Sequence, residues 1–339
     1  MTNTDEIASA PLVTIVLTAY NNERFIEETI SSVFKQSYAQ IQLIVIDNSS
    51  LDSTASVIQN LKEHLPDFIF IKNQVNIGLC KAFNQGLSLA KGKYMIDLSG
   101  DDIMLPDRVK KQVAAFEALE KDYGVVFSNA INIDVNGRFL SFHYEVNDVG
   151  RAVQLIPGGD VYKNILEKYF ICTPTMMMRT SVLLEMGGYD ETLSFEDFDF
   201  WVRSAVKFKY FYFDEVLMNK RNLPGSLGKK VYQKGSRMLA SYYVVCRKAY
   251  DLNRDQEEFD LLAARIRTFI RKCFYAQEFE LALQFRELLN YIENPGLVTE
   301  LIVLLCRMRL PVNVIYRFYI ENLHKFRNSR KVLAFNSVK

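Results

Sequence analysis

The chain has 339 residues, of which 49% are hydrophobic and 24% charged, a balance that supports one large or two ordinary cored domains and excludes intrinsic disorder. Lysine plus arginine (41) and aspartate plus glutamate (40) nearly cancel to a formal net charge of +1. No global field draws such a protein to nucleic acid, and any charge-based function must be local. Five cysteines, Cys80, Cys172, Cys246, Cys273 and Cys306, lack paired or metal-type spacing, which argues against a disulfide framework and fits a reducing, cytoplasmic setting. Residues 1–10 have neither the basic start nor the apolar stretch of a secretory signal and read as a short mobile tail. No apolar run reaches the length of a membrane span; the strongest late one, 301–306, is stopped by Arg307 and Arg309.

From residue 12 to about 127, short β-branched runs alternate with helical stretches, the pattern of βαβ units and a mainly parallel sheet. A first strand over 12–17 ends in Thr18-Ala19-Tyr20-Asn21-Asn22, where either asparagine can cap a helix carrying Ile26, Ile30, Val33 and Phe34 on one face. A second over 41–46 ends at Asp47-Asn48-Ser49 and leads into a helix with Val57, Ile58, Leu61 and Leu65 together. A third over 68–71 precedes a helix with Leu79, Ala82, Phe83, Leu87 and Ala90, ended by Lys91-Gly92-Lys93. The fourth, from Tyr94, runs straight into Ser99-Gly100-Asp101-Asp102. Ligands of open α/β sheets bind beyond the carboxyl ends of the strands, and the crossover rules bring Thr18, Tyr20, Asp47, Ser49 and the acid pair to one edge. Hard carboxylate oxygens placed there suit a divalent cation carrying a diphosphate. Taken alone, the pair serves equally well to start the helix after Pro106.

Beyond Tyr123 the pattern loosens. The topology of 124–132 is not legible, a turn falls at Val135-Asn136-Gly137-Arg138, and Pro157-Gly158-Gly159 lies in an irregular stretch. Order returns with a β-like run over 172–178, whose Met176, Met177 and Met178 read as core fillers. A short helix stopped by Gly187-Gly188 follows, then a helix from Phe195-Glu196-Asp197 with Trp201, Val202 and Ala205 inward, and a strand over 210–213. Asp199 has Arg203 one helical turn on and reads as structural. His64, His143 and His324 share no metal-ligand spacing. From about 231 the chain is helical, with turn signals at Asn294-Pro295-Gly296 and Pro311. Its end sets Val314, Ile315, Phe318, Tyr319 and Leu323 at helical spacing, with Arg317, Lys325, Arg327, Arg330 and Lys331 against Glu321. Such a helix suits packing on the rest of the chain, a homodimer contact, or a peripheral contact with an anionic membrane.

The ordered set Thr18-Ala19-Tyr20-Asn21, Asp47-Asn48-Ser49-Ser50 with Asp52, Asn76-Ile77-Gly78, Asn84-Gln85-Gly86, Ala90-Lys91-Gly92 and Ser99-Gly100-Asp101-Asp102 closely resembles glycosyltransferase family two. Gly187-Gly188-Tyr189-Asp190-Glu191 and Glu196-Asp197-Phe198-Asp199-Phe200-Trp201 resemble the acceptor half of the same family. The likeness extends over roughly residues 11–228, about two thirds of the chain. It implies an α/β fold of GT-A type, a Rossmann-like, mainly parallel sheet flanked by helices, to which the helical pattern after about 231 adds a C-terminal all-helical appendage. The implied layout is roughly a catalytic domain over 11–230, its donor half 11–130 and acceptor half 131–230, then a helical region over 231–339.

The resemblance also implies chemistry: transfer from a nucleotide-diphospho-sugar, with inversion, to the hydroxyl of a glycan or lipid-linked acceptor in bacterial surface polysaccharide or similar glycan synthesis. By similarity, Thr18 and Tyr20 line the nucleoside pocket, Asp47 contacts base or ribose, and Ser49, Asn76, Gly78, Ser99, Gly100 and Asp102 belong to the donor site. Asp101 is implied as ligand of a manganese or magnesium ion on the diphosphate, and Asp197 as the general base, which Glu196 could assist or replace. A carboxylate at a helix start is favoured in its ionised form, which a base requires. Two departures bear on the metal: Ser99 stands where the family has an acid, and Leu223 where it has a histidine. Arg221, Lys229 and Lys230, flanking the loop Pro224-Gly225-Ser226-Leu227-Gly228, can share the neutralisation of charge. A non-catalytic nucleotide-sugar-binding or scaffolding protein of the same fold is the alternative these departures raise.

Overall fold

The computed structural model describes residues 10–223, 235–313, 316 and 318. Lys229, Lys230 and the glycine-containing loop beside them lie outside the described residues, as do His324 and most of the basic C-terminal segment. The chain divides into two compact units between Pro224 and Gly225.

The first unit is built on a nine-stranded sheet. Strands β1 (Val13–Ala19), β2 (Ile41–Asp47), β3 (Ile69–Lys72) and β4 (Tyr94–Ser99) are joined by α1 (Ile26–Phe34), α2 (Thr54–His64) and α3 (Leu79–Leu87). All the pairings among these strands are parallel, as the alternation of strand and helix requires. Then follow β5 (Ile103–Met104), α4 (Arg108–Ala118), β6 (Tyr123–Ile133), β7 (Phe139–Phe142), α5 (Tyr162–Glu167), a 3-10 turn (Thr173–Thr175), β8 (Met177–Arg179), α6 (Thr180–Glu185), α7 (Asp197–Ala205) and β9 (Lys209–Arg221). The strand order is β3-β2-β1-β4-β8-β6-β9-β5, with β7 on β6. This half is mixed: β8 runs antiparallel to both β4 and β6, and β9 is parallel to β6.

One face of the sheet presents Val13, Ile15 and Leu17 of β1, Leu43 and Val45 of β2, and Tyr94, Ile96 and Leu98 of β4. Ile26, Ile30 and Val33 of α1 and Val109, Val113 and Phe116 of α4 pack against it. Each such side chain contributes about 1.5–3 kcal/mol on burial. Met176, Met177 and Met178 are buried, as their apolar run suggests, and the Trp201 indole donates to the Met176 sulfur at 3.2 Å. The expected pairing of Asp199 with Arg203 is present at 2.7 Å, and the same guanidinium donates to the carbonyls of Met186 and Gly188.

Three local readings change. Residues 123–133, illegible from sequence, form the long buried strand β6. It is covered on both faces and carries no alternation; its Asn129 is buried but satisfied by Tyr144, whose carbonyl accepts from Nδ2 and whose amide donates to Oδ1. The strand expected over 210–213 continues to Arg221. The helix expected to run through Ala90 ends at Leu87.

The second unit contains α8 (Met238–Leu252), α9 (Gln256–Ala276), α10 (Phe279–Asn290) and α11 (Leu297–Arg307), and no strand among its described residues. Asp255 caps α9 by accepting from the Glu258 amide at 3.0 Å, while the Glu258 carboxylate accepts from the Arg254 amide, a reciprocal cap. Phe269 and Phe285 stack between α9 and α10 at 5.5 Å.

Candidate active site

The carboxyl ends of β1, β2 and β4 lie in register: Ala19 is opposite Asp47, and Thr18 is opposite Ser99. Backbone hydrogen bonds extend the row beyond the strands, from Asn48 N to Ala19 O and from Gly100 N to Thr18 O. The Thr18 hydroxyl is buried with no hydrogen-bond partner among the described residues. Tyr20 stands on the rim, exposed, its amide held by Asn22 Oδ1 at 2.8 Å. A Cβ at Gly100 would meet that same Oδ1 at 2.8 Å and the Ala19 Cα at 3.2 Å, so only glycine lets β4 turn this close to β1.

Around β2, Asp47 is buried and accepts from the Ser50 amide. Asn48 organises the opposite wall: its Nδ2 reaches Asn76 Oδ1 and the Gly78 carbonyl, and its Oδ1 accepts from the Ile77 amide. Asn76 closes a turn onto the Gly78 amide at 3.0 Å, and Gly78 opens α3. Asn21 and Ser49 both adopt left-handed φ values, +56° and +65°. Two non-glycine residues in that region, at adjacent strand ends, store backbone strain typical of ligand sites.

Beyond β4, Ser99 Oγ donates to Asp101 Oδ1 at 2.6 Å, and Asp102 Oδ1 accepts from the Arg221 amide at 2.8 Å. Arg221 is not at the surface. Its Nε donates to the Asp101 carbonyl, its Nη1 to the carbonyls of Asp134 and Val135, and its Nη2 to Glu28, while the guanidinium lies over Phe25 at 4.6 Å. Its charge still pulls Asp101 down, and its neighbour Lys220 adds to that pull. The Lys220 charge acts on Asp101, Asp102 and Asp197 alike. The pairing of Ile103 with Asn219 across β5 and β9 brings the next residue, Lys220, abreast of Asp102. Asp197 is the first residue of α7, and its carboxylate accepts from the Phe198 amide at 2.6 Å and the Thr173 hydroxyl at 3.2 Å. An adjacent acid pair and one distant carboxylate are thus all lowered by the charge of Lys220.

Residues 14–187, just over half of the chain, match the family model described as Glycosyl transferase family 2. The chain belongs to glycosyltransferase family 2. An uncharacterized glycosyltransferase of Methanocaldococcus jannaschii is 30% identical over 245 residues, 69% of this chain and 78% of that protein. EpsE of Bacillus subtilis, also named a glycosyltransferase, is 29% identical over 71% of this chain and 84% of its own length. Among solved structures, S. aureus TarS 1–349 in complex with UDP-GlcNAc has a TM-score of 0.60 at 17% identity, covering 90% of this chain and 91% of that one. Mannosyltransferase PcManGT from Pyrobaculum calidifontis, in complex with GDP-Man and Mn2+, has a TM-score of 0.56 at 16% identity, covering 92% and 84%. These likenesses bear out the GT-A type α/β fold and the enzyme class.

Two family 2 motifs turn out to clamp one another. Asn84 of α3 donates to the Tyr189 carbonyl at 2.8 Å and accepts from the Tyr189 amide at 2.9 Å. Gly188 has φ +76°, and a Cβ there would meet Asn84 Oδ1 at 2.5 Å. Tyr189, thus fixed, stacks on Phe83 at 4.3 Å and sets its hydroxyl beside Asp97 of β4.

For this glycosyltransferase the acid pair offers hard oxygens, but not a closed metal cage. Among the described residues no group of three or more His, Cys, Asp or Glu is arranged to hold a metal ion. Asp101 and Asp102 each have one oxygen engaged, and Leu223 has no donor. A magnesium-like ion normally binds through one or two carboxylates plus substrate phosphates and water. The residues fit a cation that arrives with a diphosphate.

Burial sets the electrostatics. It raises the Asp101 carboxyl, which Ser99, Arg221 and Lys220 pull back down. Burial and then the Asp101 charge push Asp102 up to about 7. Asp197 is raised by burial, against the helix-start expectation of a readily ionised acid; Phe198, Thr173 and Lys220 oppose the rise. Glu196 is raised well above the carboxylate range by burial, then by the charges of Asp197 and Asp97.

Asp97, which the sequence did not single out, is pushed up to about 7 by burial. In the folded protein it keeps its proton to about pH 7, whereas in the unfolded chain it loses it near the ordinary carboxylate value. Its contribution to stability is therefore complete at low pH and lost as pH rises through 7. Wild-type protein is expected to lose stability from pH 5 to pH 8, and Asp97→Asn to lose distinctly less. Denaturant midpoints at the two pH values read this, and identical pH dependence in the two proteins would refute it.

Proposed function

We propose that this chain is an inverting glycosyltransferase that moves a sugar from a nucleotide-diphospho-sugar to an acceptor hydroxyl, in the making of a bacterial surface polysaccharide or similar glycan on the cytoplasmic side of the membrane. The observation that carries the reading is the row of carboxyl strand ends in a family 2 chain, with Thr18 opposite Ser99, Ala19 opposite Asp47, and Asp101 and Asp102 just beyond. The neighbours in complex with UDP-GlcNAc and with GDP-Man and Mn2+ support the donor class.

In this reading residues 11–130 hold the donor, with Thr18 and Tyr20 at the nucleoside, Asp47 at base or ribose, and Ser49, Asn76, Gly78, Ser99 and Gly100 shaping the walls. Residues 131–230 hold the acceptor. Asp197 takes the proton of the acceptor hydroxyl, whose oxygen attacks the anomeric carbon opposite the departing diphosphate, so that one C–O bond forms as the other breaks and the configuration inverts. Burial raises its affinity for protons above that of an ordinary carboxylate, which strengthens it as a base. Thr173 holds the carboxylate in its attacking position. A divalent cation on the Asp101 side would stabilise the negative charge left on the diphosphate. Lys220 supplies fixed positive charge at the same acids, and Asp102 and Arg221 act as positioning residues beneath them.

The test is a thermal-shift panel of nucleoside diphosphates and their sugars, each with and without manganese or magnesium. One nucleotide class should raise the melting temperature by several degrees, because a ligand at about a hundred times its Kd adds about 2.7 kcal/mol. A panel with no shift for any nucleotide, with or without metal, would refute the donor site.

A further inference from the structure

The 3-10 turn Thr173–Thr175 carries the Thr173 hydroxyl that reaches the Asp197 carboxylate at 3.2 Å. Its own backbone closes it with bonds from Thr175 N to Cys172 O and from Met176 N to Thr173 O. So short a turn cannot hold its place in the fold alone, and other elements reach in to hold it. From α4, Gln112 Nε2 donates to the Thr175 carbonyl at 2.7 Å, and Arg108 Nη2, one helical turn earlier, to the Met176 carbonyl at 3.1 Å. Gln112 Oε1 accepts from Arg108 Nε, so the two side chains act as one unit. From β6, the Ser128 amide donates to the Thr175 hydroxyl, which in turn donates to the Cys172 carbonyl at 2.7 Å. Arg108 Nη1 reaches the sulfur of Met218 on β9, opposite Met104 in the strand that follows the acid pair.

Arg108, Gln112, Ser128 and Thr175 are all fully buried. Stability alone does not call for them. The neighbouring positions of α4, Val109, Val113 and Phe116, pack in the apolar core, and replacing both partners of a buried hydrogen bond by apolar groups of the same shape is often nearly neutral. A fully satisfied buried network instead fixes a single geometry. What this one fixes is the turn beneath the base. We infer that Gln112 and Thr175 are positioning residues for the transfer reaction, locking the turn whose Thr173 hydroxyl aims the Asp197 carboxylate at the acceptor. Neither touches the reacting atoms. The Thr173 hydrogen bond also draws the proton affinity of Asp197 down, so a turn that shifts both misaims the carboxylate and makes it harder to ionise.

The inference rests on Asp197 being the base, and the experiment separates the two. Release of nucleoside diphosphate is followed with water as acceptor, from the nucleotide-sugar that gives the largest thermal shift in the panel above. Thr175→Val keeps the volume of the side chain and removes its hydroxyl. It should lower kcat about tenfold, leave the donor KM within about twofold, and move the acidic limb of the kcat/KM profile to higher pH. Thr175→Ser restores the hydroxyl and should return both kcat and the limb. In a Thr173→Val background Thr175→Val should change almost nothing further, because the hydroxyl through which it acts is gone. A Thr175→Val enzyme with wild-type kcat and an unmoved limb, whatever its melting temperature, overturns the inference, and so do additive losses in the double variant. Asp197→Asn is measured beside it. Wild-type turnover there removes the base and the positioning residues together, whereas an inactive Asp197→Asn with an unaffected Thr175→Val removes the positioning residues alone. Should Thr175→Val fail to fold, Gln112→Asn, which keeps the amide but withdraws it from the Thr175 carbonyl by one methylene, carries the same expectations.

Discussion

Asp197→Asn is expected to lower the rate of transfer about a thousandfold while leaving nucleotide binding intact. Asparagine keeps an oxygen for the Phe198 amide, and its NH2 can donate to the Thr173 hydroxyl where the acid now accepts, so the site survives and only the basic oxygen is lost. Lys220→Met separates base chemistry from mere packing. Removing the ammonium withdraws one of the influences that hold the Asp197 proton affinity down, so the acidic limb of the kcat/KM profile should move to higher pH. Unchanged turnover in Asp197→Asn would remove this residue as the base, and an unshifted limb in Lys220→Met would remove Lys220 from the site. Loss of both binding and turnover in Asp197→Asn would point to damage to the pocket instead.

Arg221→Ala is expected to cost about 3 kcal/mol of stability. It strips donors from the carbonyls of Asp101, Asp134 and Val135, and each buried acceptor left unpaired costs about 1–3 kcal/mol. The ion pair with Glu28 adds little, because that carboxylate is 59% exposed and is readily solvated again. Arg221→Lys should recover less than half of the loss, since an ammonium cannot serve these separate directions at once. The single tryptophan, Trp201, is buried in the first unit, so its fluorescence follows unfolding of that unit. A denaturant midpoint within experimental error of wild type would refute the assignment. Donor affinity should fall in the same variant, because the Asp101 backbone loses its anchor.

The contrast between Arg221 and Lys220 shows where sequence reading stops. From sequence Arg221 reads as one of the cations flanking the loop for a diphosphate, but adjacent residues of a strand point to opposite faces. One is consumed inside the fold, and which one depends on the register of β9 against β5 and β6. Asp97 was hidden for a similar reason. Within Tyr-Met-Ile-Asp-Leu-Ser it breaks an apolar run, yet it becomes a site neighbour only because the Asn84 clamp delivers Tyr189 beside it. Arg108, fully buried and donating to the Met176 carbonyl and the Met218 sulfur, gives no sign of burial in its polar helix.

By itself the sequence determined the four βα units of the first half, the edge to which Thr18, Asp47 and Asp101 are delivered, the pairing of Asp199 with Arg203, and the helical second unit. Each follows from local periodicity or from spacing along one element, where the physics is short-range. Only the tertiary structure decided that β6 is a central strand, that Arg221 is a beam inside the fold, and that Asp197 stands at Thr173. Those outcomes depend on burial and on contacts between residues far apart in the chain, and desolvation is a property of the packed whole.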